Sequence, residues 1–344
     1  MSKLNVYYSV AGYQSHKRVA TAYRSLMEGK YKIVTDINDA GNADIIVLHH
    51  EPHNYASLYN KYPALKDKYV IGYWVWEASD LPESYKRSVD YVHEVWTPSR
   101  YCCDIFAKYH PNVVYMPHPI DRDIDYSDED RVFAERVVDY QEDCVYFLSI
   151  ARVWDRRKNI RSLVEAFQNQ REKMPKARLI VKVAELEPAD FINSSQIIYL
   201  PLKLTDSQLN ALYGLSHIYV SAHHSEGWGL TLSDAMLFNK LVVGTGYSGN
   251  LEFMDESNSI LVGFTEEYIR PEDQFHLFTG DMKWAYPKQD DLEEKLLFCY
   301  EGINEEWVAE KTRKALAGTK RFDHQAIGNL IAQRFDEIAA RVRK

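Results

Sequence analysis

A glutamate followed by a Gly-Trp-Gly turn, with an aspartate eight positions later, marks residues 223 to 236, HHSEGWGLTLSDAM, as a place where chemistry can be done. The run follows the strand-like HIYVSAHH and opens a helix near Gly229. A helix that starts at the mouth of a parallel sheet presents unpaired backbone N–H groups and a positive dipole end, which suits phosphate. Gly227 and Gly229 let that backbone come close to a ligand. Glu226, just outside the helix, can face a hydroxylated group beyond the phosphate, and Asp234, about two turns further on, can reach a different pair of hydroxyls. A single ligand with a phosphate and two sets of hydroxyls is a nucleotide sugar. The plainer alternative is a capped helix with Asp234 on its wet face.

A second cluster bears on the choice. Arg152 ends the strand CVYFLSIAR, and Lys158, six residues on, opens the next helix. Two cations at one strand-to-helix mouth can grip a diphosphate, Arg through a fork and Lys as a point charge. Arg156 and Arg157 between them read as solvent-facing, and the whole basic run also fits a solvated surface. With the first cluster, it describes a diphosphate site.

Such residues need a frame. Short apolar, β-branched runs alternate with helical patterns along most of the chain, the signature of βα units on parallel sheets. Strands are read at LNVYYSV, YKIVTD, ADIIVLHH, YVIGYWVW, EVWTPS and VVYMPHP, with helices beginning near His16, Asn54, Pro82 and Ser99. Residues 121 to 143 then carry ten acidic and three basic residues and read as a solvated connector with a short helix. A second series follows: CVYFLSIAR, ARLIVKVA, QIIYLP, HIYVSAHH, KLVVGTG and SILVGF. Thr265 to Gln289 reads as a long loop. The expected organisation is a first domain over 1–125, an acidic connector over 126–143, a second domain over 144–323 and a helix over 324–344 that straps back onto the first. Two doubly wound domains would place a ligand cleft between the carboxyl ends of their sheets.

Composition sets the outer limits. The chain has 344 residues, enough for two domains, and 46% hydrophobic with 26% charged residues is a globular balance. The net charge of −9 argues against a nucleic-acid surface or a general attraction to anionic lipid. No window approaches the roughly 18 apolar residues of a membrane span, and MSKLNVYYSVAG lacks a signal-peptide core, so a cytoplasmic location is expected. Cys102, Cys103, Cys144 and Cys299 lack metal-like spacing and read as reduced, packed thiols. Asn193-Ser194-Ser195 matches a glycosylation acceptor by chance.

Arg152 with Lys158, then SEGWGLTLSDAM, then VVGTGYSGNLEF resemble the E-x7-E region and its neighbours in the retaining glycosyltransferases of family 4, which have the GT-B fold. The stretch GYWVWEASDLPESYKRSVDYVHEVWTPSRYCCDIF is similar to the acceptor side of a bacterial and viral subgroup that builds polysaccharides. The resemblance implies an α/β fold of two Rossmann-like domains facing across a cleft. It implies that Glu226 holds the transferred sugar, Asp234 the ribose, Arg152 and Lys158 the diphosphate, and the backbone around Leu230 and Thr231 the distal phosphate. Three positions depart from the family. Asp234 stands where Glu is usual, Pro119 where Gly is common, and the first loop keeps Gly12 without the usual paired glycines.

The family's first-domain histidine has no clear counterpart. Its place falls in YWVWE, where Trp74, Trp76 and Glu77 stand, with His49 and His50 as neighbouring candidates. A strand-end His also serves as a structural residue, and of two Trp alternating on a strand only one can face the cleft. The expected activity is metal-independent, cofactor-free transfer of a hexose, with retention, from a nucleotide diphosphate sugar to a glycan hydroxyl. The subgroup resemblance points to mannose from GDP-mannose, with UDP-glucose as the alternative donor. A nucleotide-sugar epimerase or hydrolase of the same fold, or a nucleotide-sugar binding protein without turnover, also fits the diphosphate grip. The partners expected are donor and glycan acceptor, with a homodimer open.

Overall fold

The computed structural model describes residues 4–10, 14–152, 154–184 and 194–342. The chain divides into two compact units, Met1–Asp121 with Arg321–Lys344, and Arg122–Lys320.

The first unit holds a six-stranded parallel sheet of β1 (Asn5–Val10), β2 (Lys32–Val34), β3 (Ile45–His49), β4 (Tyr69–Tyr73), β5 (Glu94–Thr97) and β6 (Val113–Tyr115), in the order β2-β1-β3-β4-β5-β6. The central β3, IIVLH, is buried at every position. That is why it reads as a continuous apolar run: a parallel strand is covered on both faces. Helices start at Gln14, Tyr55, Glu83 and Arg100, close to the positions expected. Ser99 caps the last of them by accepting from the Cys102 amide at 3.2 Å.

The helix His324–Val342 belongs to this unit. Phe335 meets the rings of Tyr31 and Trp96 with centroids 5.1 and 5.5 Å apart. Arg334 pairs with Glu94, whose side chain is fully buried and also accepts from the Trp96 indole at 3.1 Å. The chain re-enters the unit where the Ile120 amide donates to the Phe322 carbonyl at 2.8 Å.

The second unit holds β7 (Val145–Ile150), β8 (Ala177–Lys182), β9 (Ile197–Leu200), β10 (Ile218–Ser221), β11 (Leu241–Thr245) and β12 (Ile260–Val262), all parallel, in the order β12-β11-β10-β7-β8-β9. Counted along its own chain this is the 3-2-1-4-5-6 order of a dinucleotide-binding sheet. The helix Ile160–Gln170 packs onto it because Ile160, Leu163, Val164 and Phe167 recur at helical spacing and form one apolar stripe. Each such large side chain contributes about 1.5–3 kcal/mol on burial.

Two expectations about this unit are corrected. The acidic stretch lies within it: the helix Asp128–Val137 starts with a Ser127–Asp130 capping box, buries Ala134 and receives a hydrogen bond from Ser207 on Asp130 at 2.5 Å. Residues 265–289 are not a plain loop. Phe264–Tyr268, β13, pairs antiparallel with Lys283–Pro287, β14. β13 reads FTEEY, an exposed polar strand without the apolar run that betrays the others.

Candidate functional site

In the second sheet the strand order reverses between β7 and β10, and a ligand crevice in such sheets lies outside the carboxyl ends at that switch point. The loops leaving these strands carry both chemistry-bearing clusters. They are laced together: Asn159 donates through Nδ2 to the Ala222 carbonyl at 3.0 Å, and the His224 amide donates to the Arg157 carbonyl at 2.8 Å. Asn159 takes the left-handed conformation, φ 49°, which ends the short turn Arg156–Lys158 before the helix begins at Ile160. Lys158 therefore lies in the turn and not at the helix start.

Glu226 is fixed first by its backbone. Its amide donates to Ser248 Oγ at 2.8 Å, and its carbonyl accepts from the Gly249 amide at 2.8 Å. The loop after β11 approaches so closely that a Cβ on Gly249 would lie 2.1 Å from the Gly227 carbonyl oxygen, so only glycine fits. Ser248 adopts φ 74°, ψ −150°, a region that non-glycine residues rarely occupy, and its hydroxyl donates to the Tyr247 carbonyl at 2.5 Å. Backbone held in such a conformation marks a place where the surrounding structure dictates the loop.

The carboxylate lies between two cations. Lys158 Nζ binds Oε1, and Arg157 Nη1 donates to Oε2 at 3.1 Å. Arg157 also donates to the Ser225 carbonyl at 2.8 Å and, through Nη2, to Asp155 Oδ2 at 3.0 Å. Burial pushes the Glu226 carboxyl up, but Lys158 and Arg157 outweigh it and bring it down to about 2. A buried carboxylate fully ionised at neutral pH, fixed by charge, is suited to hold a polyhydroxyl group by accepting hydrogen bonds.

Beside it, His223 is fully buried and bridges Ser221 Oγ and Asn250 Oδ1, each at 3.0 Å. Asn250 donates its amide to the Thr245 carbonyl at 3.0 Å, which turns its oxygen to His223 and assigns the proton to Nε2. Burial holds His223 neutral, at about 4.

The helix Leu230–Leu237 begins at Gly229, φ 96°, with no side-chain cap. Its first intrahelical donors reach the Gly229 carbonyl from Leu232 and Ser233, so the amides of Leu230 and Thr231 precede the ladder. Glu226, Gly227, Gly229, Leu230 and Thr231 thus form one continuous turn.

Asp234 is buried, which removes the wet-face alternative. Its Oδ2 accepts from Arg122 Nη1 at 3.3 Å, and Arg122 Nη2 binds Asn210 Oδ1. Arg122 belongs to the DRDID run read as solvated; its side chain is only 15% exposed. Arg152 lies two residues past the end of β7, its guanidinium 5.6 Å from the centroid of the exposed Trp154 ring.

Arg157 is the largest correction. Read as solvent-facing, it is buried and contacts Glu226 directly. In the run RRK the charge pattern is uniform, and only the turn geometry separates the exposed Arg156 from the buried Arg157. Arg122, Ser248 and His223 were also missed. A serine inside GYSGN, where the chain needs close backbone approach, was the one signal on offer.

In the first unit, Trp74 and Trp76 lie beyond the end of β4 and both are buried. Trp74 donates to the Tyr55 hydroxyl at 2.9 Å and Trp76 to the Asp80 carbonyl at 2.6 Å, so both serve the core and neither offers an open ring face. His49, the last residue of β3, is fully buried, stacks on Tyr73 at 4.2 Å, and shares a 2.8 Å hydrogen bond with the Tyr8 hydroxyl. Burial drives its pKa well below the ordinary histidine value. His50 and Glu77 are half-buried. Gly12 lies outside the described residues.

Residues 144–270 match the family model described as Glycosyl transferases group 1. A comparison with curated proteins finds no match. Among solved structures, the chain is similar to a glycosyltransferase from Rickettsia africae, at TM-score 0.72 and 14% identity over 98% of this chain and 99% of that one. It is similar to HepE of Anabaena in complex with UDP and glucose, at TM-score 0.69 and 13% identity over 97% and 100%. A sucrose-phosphate synthase from Thermosynechococcus elongatus matches at TM-score 0.66 and 12% identity over 98% and 100%. At these identities the likeness concerns the fold, which is that of GT-B glycosyltransferases. These comparisons meet the group 1 and GT-B part of the resemblance carried by the sequence motifs.

Proposed function

We propose that this chain is a retaining glycosyltransferase that moves a hexose from a nucleotide diphosphate sugar to a glycan hydroxyl without a metal. The observation that carries the reading is the ionised, buried Glu226, held by Lys158 and Arg157 beside an uncapped helix start at the sheet's switch point. In this reading Glu226 accepts from sugar hydroxyls. Lys158, Arg152 and the amides of Leu230 and Thr231 meet the diphosphate, whose negative charge grows as it leaves. Asp234 meets the ribose; an ionised carboxylate accepts several hydrogen bonds, so its pair with Arg122 is compatible with that role. His50 and Glu77 are the half-buried side chains of the first unit assigned to the acceptor.

In the transfer step the acceptor oxygen bonds to the anomeric carbon. The bond from that carbon to the phosphate oxygen breaks with its electron pair, and the acceptor proton passes to that leaving oxygen on the same face. The sequence resemblance favours GDP-mannose as donor. Likeness to HepE, solved with UDP-glucose, supports a uridine donor. Calorimetric titration with both donors decides between them, and the anomeric configuration of the product by NMR tests retention. Sugar conversion without an acceptor would establish the epimerase or hydrolase instead, and binding without turnover a nucleotide-sugar binding protein.

A further inference from the structure

The two cations on Glu226 are tied down differently. Lys158 reaches Oε1 on a flexible stem and is 18% exposed. Arg157 is fixed on three sides: Nη2 to Asp155, Nη1 to the Ser225 carbonyl as well as to Glu226, and its own carbonyl to the His224 amide. A diphosphate recognised by Lys158 draws on the same ammonium that faces Glu226, and a Lys ammonium divides its three donors among its acceptors. The other titratable groups that face Glu226 are His223, from its own loop, and the Tyr219 hydroxyl of β10, while Asp155 faces Arg157. His223 is neutral and Tyr219 uncharged at neutral pH, so the fixed positive charge is that of Arg157.

We propose that Arg157 is a positioning residue that holds Glu226 as an aimed carboxylate while Lys158 turns to the phosphates of the donor. This rests on the donor site proposed above. The arrangement divides the labour of the basic run: the mobile point charge takes the ligand, and the rigid fork takes the protein's own acid. It also gives Asp155 a purpose, since a carboxylate on the second arm of the fork stops Arg157 from following Lys158 towards the phosphates.

The test is a double-variant cycle read by calorimetry, with UDP-glucose and GDP-mannose as probes. Arg157→Gln should weaken binding of the sugar nucleotide about tenfold in the wild-type background and less than twofold in the Glu226→Gln background, because its effect passes through Glu226. The double variant removes the Arg157–Glu226 pair as a unit and leaves Asp155 and Lys158 each without one partner. Arg157→Lys, which keeps the charge and loses the fork, should show a smaller loss with the same dependence on Glu226. In transfer assays the acid limb of the rate profile should move up by about one pH unit or more for Arg157→Gln, and Arg157→Lys should bring most of it back. Equal losses of affinity in both backgrounds, or an unmoved acid limb, would overturn the role of Arg157 alone. A wild-type chain that binds neither probe would overturn the donor site itself.

Discussion

Arg122 and Asp234, 112 positions apart, form a largely enclosed ion pair at 3.3 Å, with side chains 15% and 4% exposed. Arg122 also binds Asn210, which in turn donates to the carbonyls of Asp123 at 3.2 Å and Asp125 at 2.9 Å. The first residues of the second unit are thereby pinned to two of its helices. Removing one member of an enclosed pair leaves the other charged and poorly solvated, so Arg122→Ala should cost on the order of 3 kcal/mol. Urea denaturation measures this. A loss under about 0.5 kcal/mol would show the pair to behave like an exposed one.

Glu226→Ala should abolish transfer while the nucleoside diphosphate alone still binds, because this carboxylate is assigned to the sugar and not to the phosphates. Calorimetry with the diphosphate and a transfer assay separate the two effects. Retained turnover would contradict the assignment.

The fold and the candidate site were not equally legible. The strands of both sheets could be read because parallel strands are buried on both faces, so IIVLH and LVVGT appear as unbroken apolar runs. The β13–β14 hairpin lacked that signal, its first strand being polar and exposed. Glu226 and Lys158 could be singled out because charge beside glycines at a strand exit is a local pattern. Arg157 and Arg122 could not. Their burial is decided by partners 69 and 112 positions away, and sequence spacing carries no record of such contacts. Trp74 and Trp76 are both core residues, and alternation does not separate them because β4 ends at Tyr73.

Acid should weaken the fold well above the carboxylate range. Burial foremost holds His16, His223 and His224 at about 4, against an ordinary value of 6.5. Such groups are neutral in the folded chain and protonate in the unfolded chain, so their contribution is complete above pH 6.5 and is lost as pH falls from there towards 4. Glu226, depressed to about 2, adds a further loss only below the ordinary carboxylate value of 4.5. Denaturation midpoints followed from pH 7.5 to 4.5 should hold level down to about pH 6.5 and decline below it. A flat profile would mean that these histidines are not buried as neutral groups.

Gly249→Ala should disrupt the site with little effect elsewhere. The added methyl would meet the Gly227 carbonyl at 2.1 Å, and backbone must move to admit it. Overpacking of this kind costs about 1–3 kcal/mol, and here the displacement falls on the turn that carries Glu226. Wild-type donor affinity in a folded Gly249→Ala variant would show that the close approach is incidental.

Transfer should survive EDTA, since the leaving charge is assigned to Arg152, Lys158 and helix amides. The measurement is the initial rate before and after chelation, with and without added manganese. Strict dependence on the added ion would contradict this.

The ion pair between Arg334 and Glu94 spans 240 positions, and it sets an order of events during synthesis. Glu94, Trp96 and Tyr31 emerge from the ribosome early, yet the groups that cover them, Arg334 and Phe335, follow only after the whole of the second unit has been made. The second unit is contiguous and has all its partners at hand as soon as Lys320 is added. The first unit is therefore completed only after the second has been made, and until then Glu94 lacks Arg334 while Tyr31 and Trp96 lack the ring of Phe335.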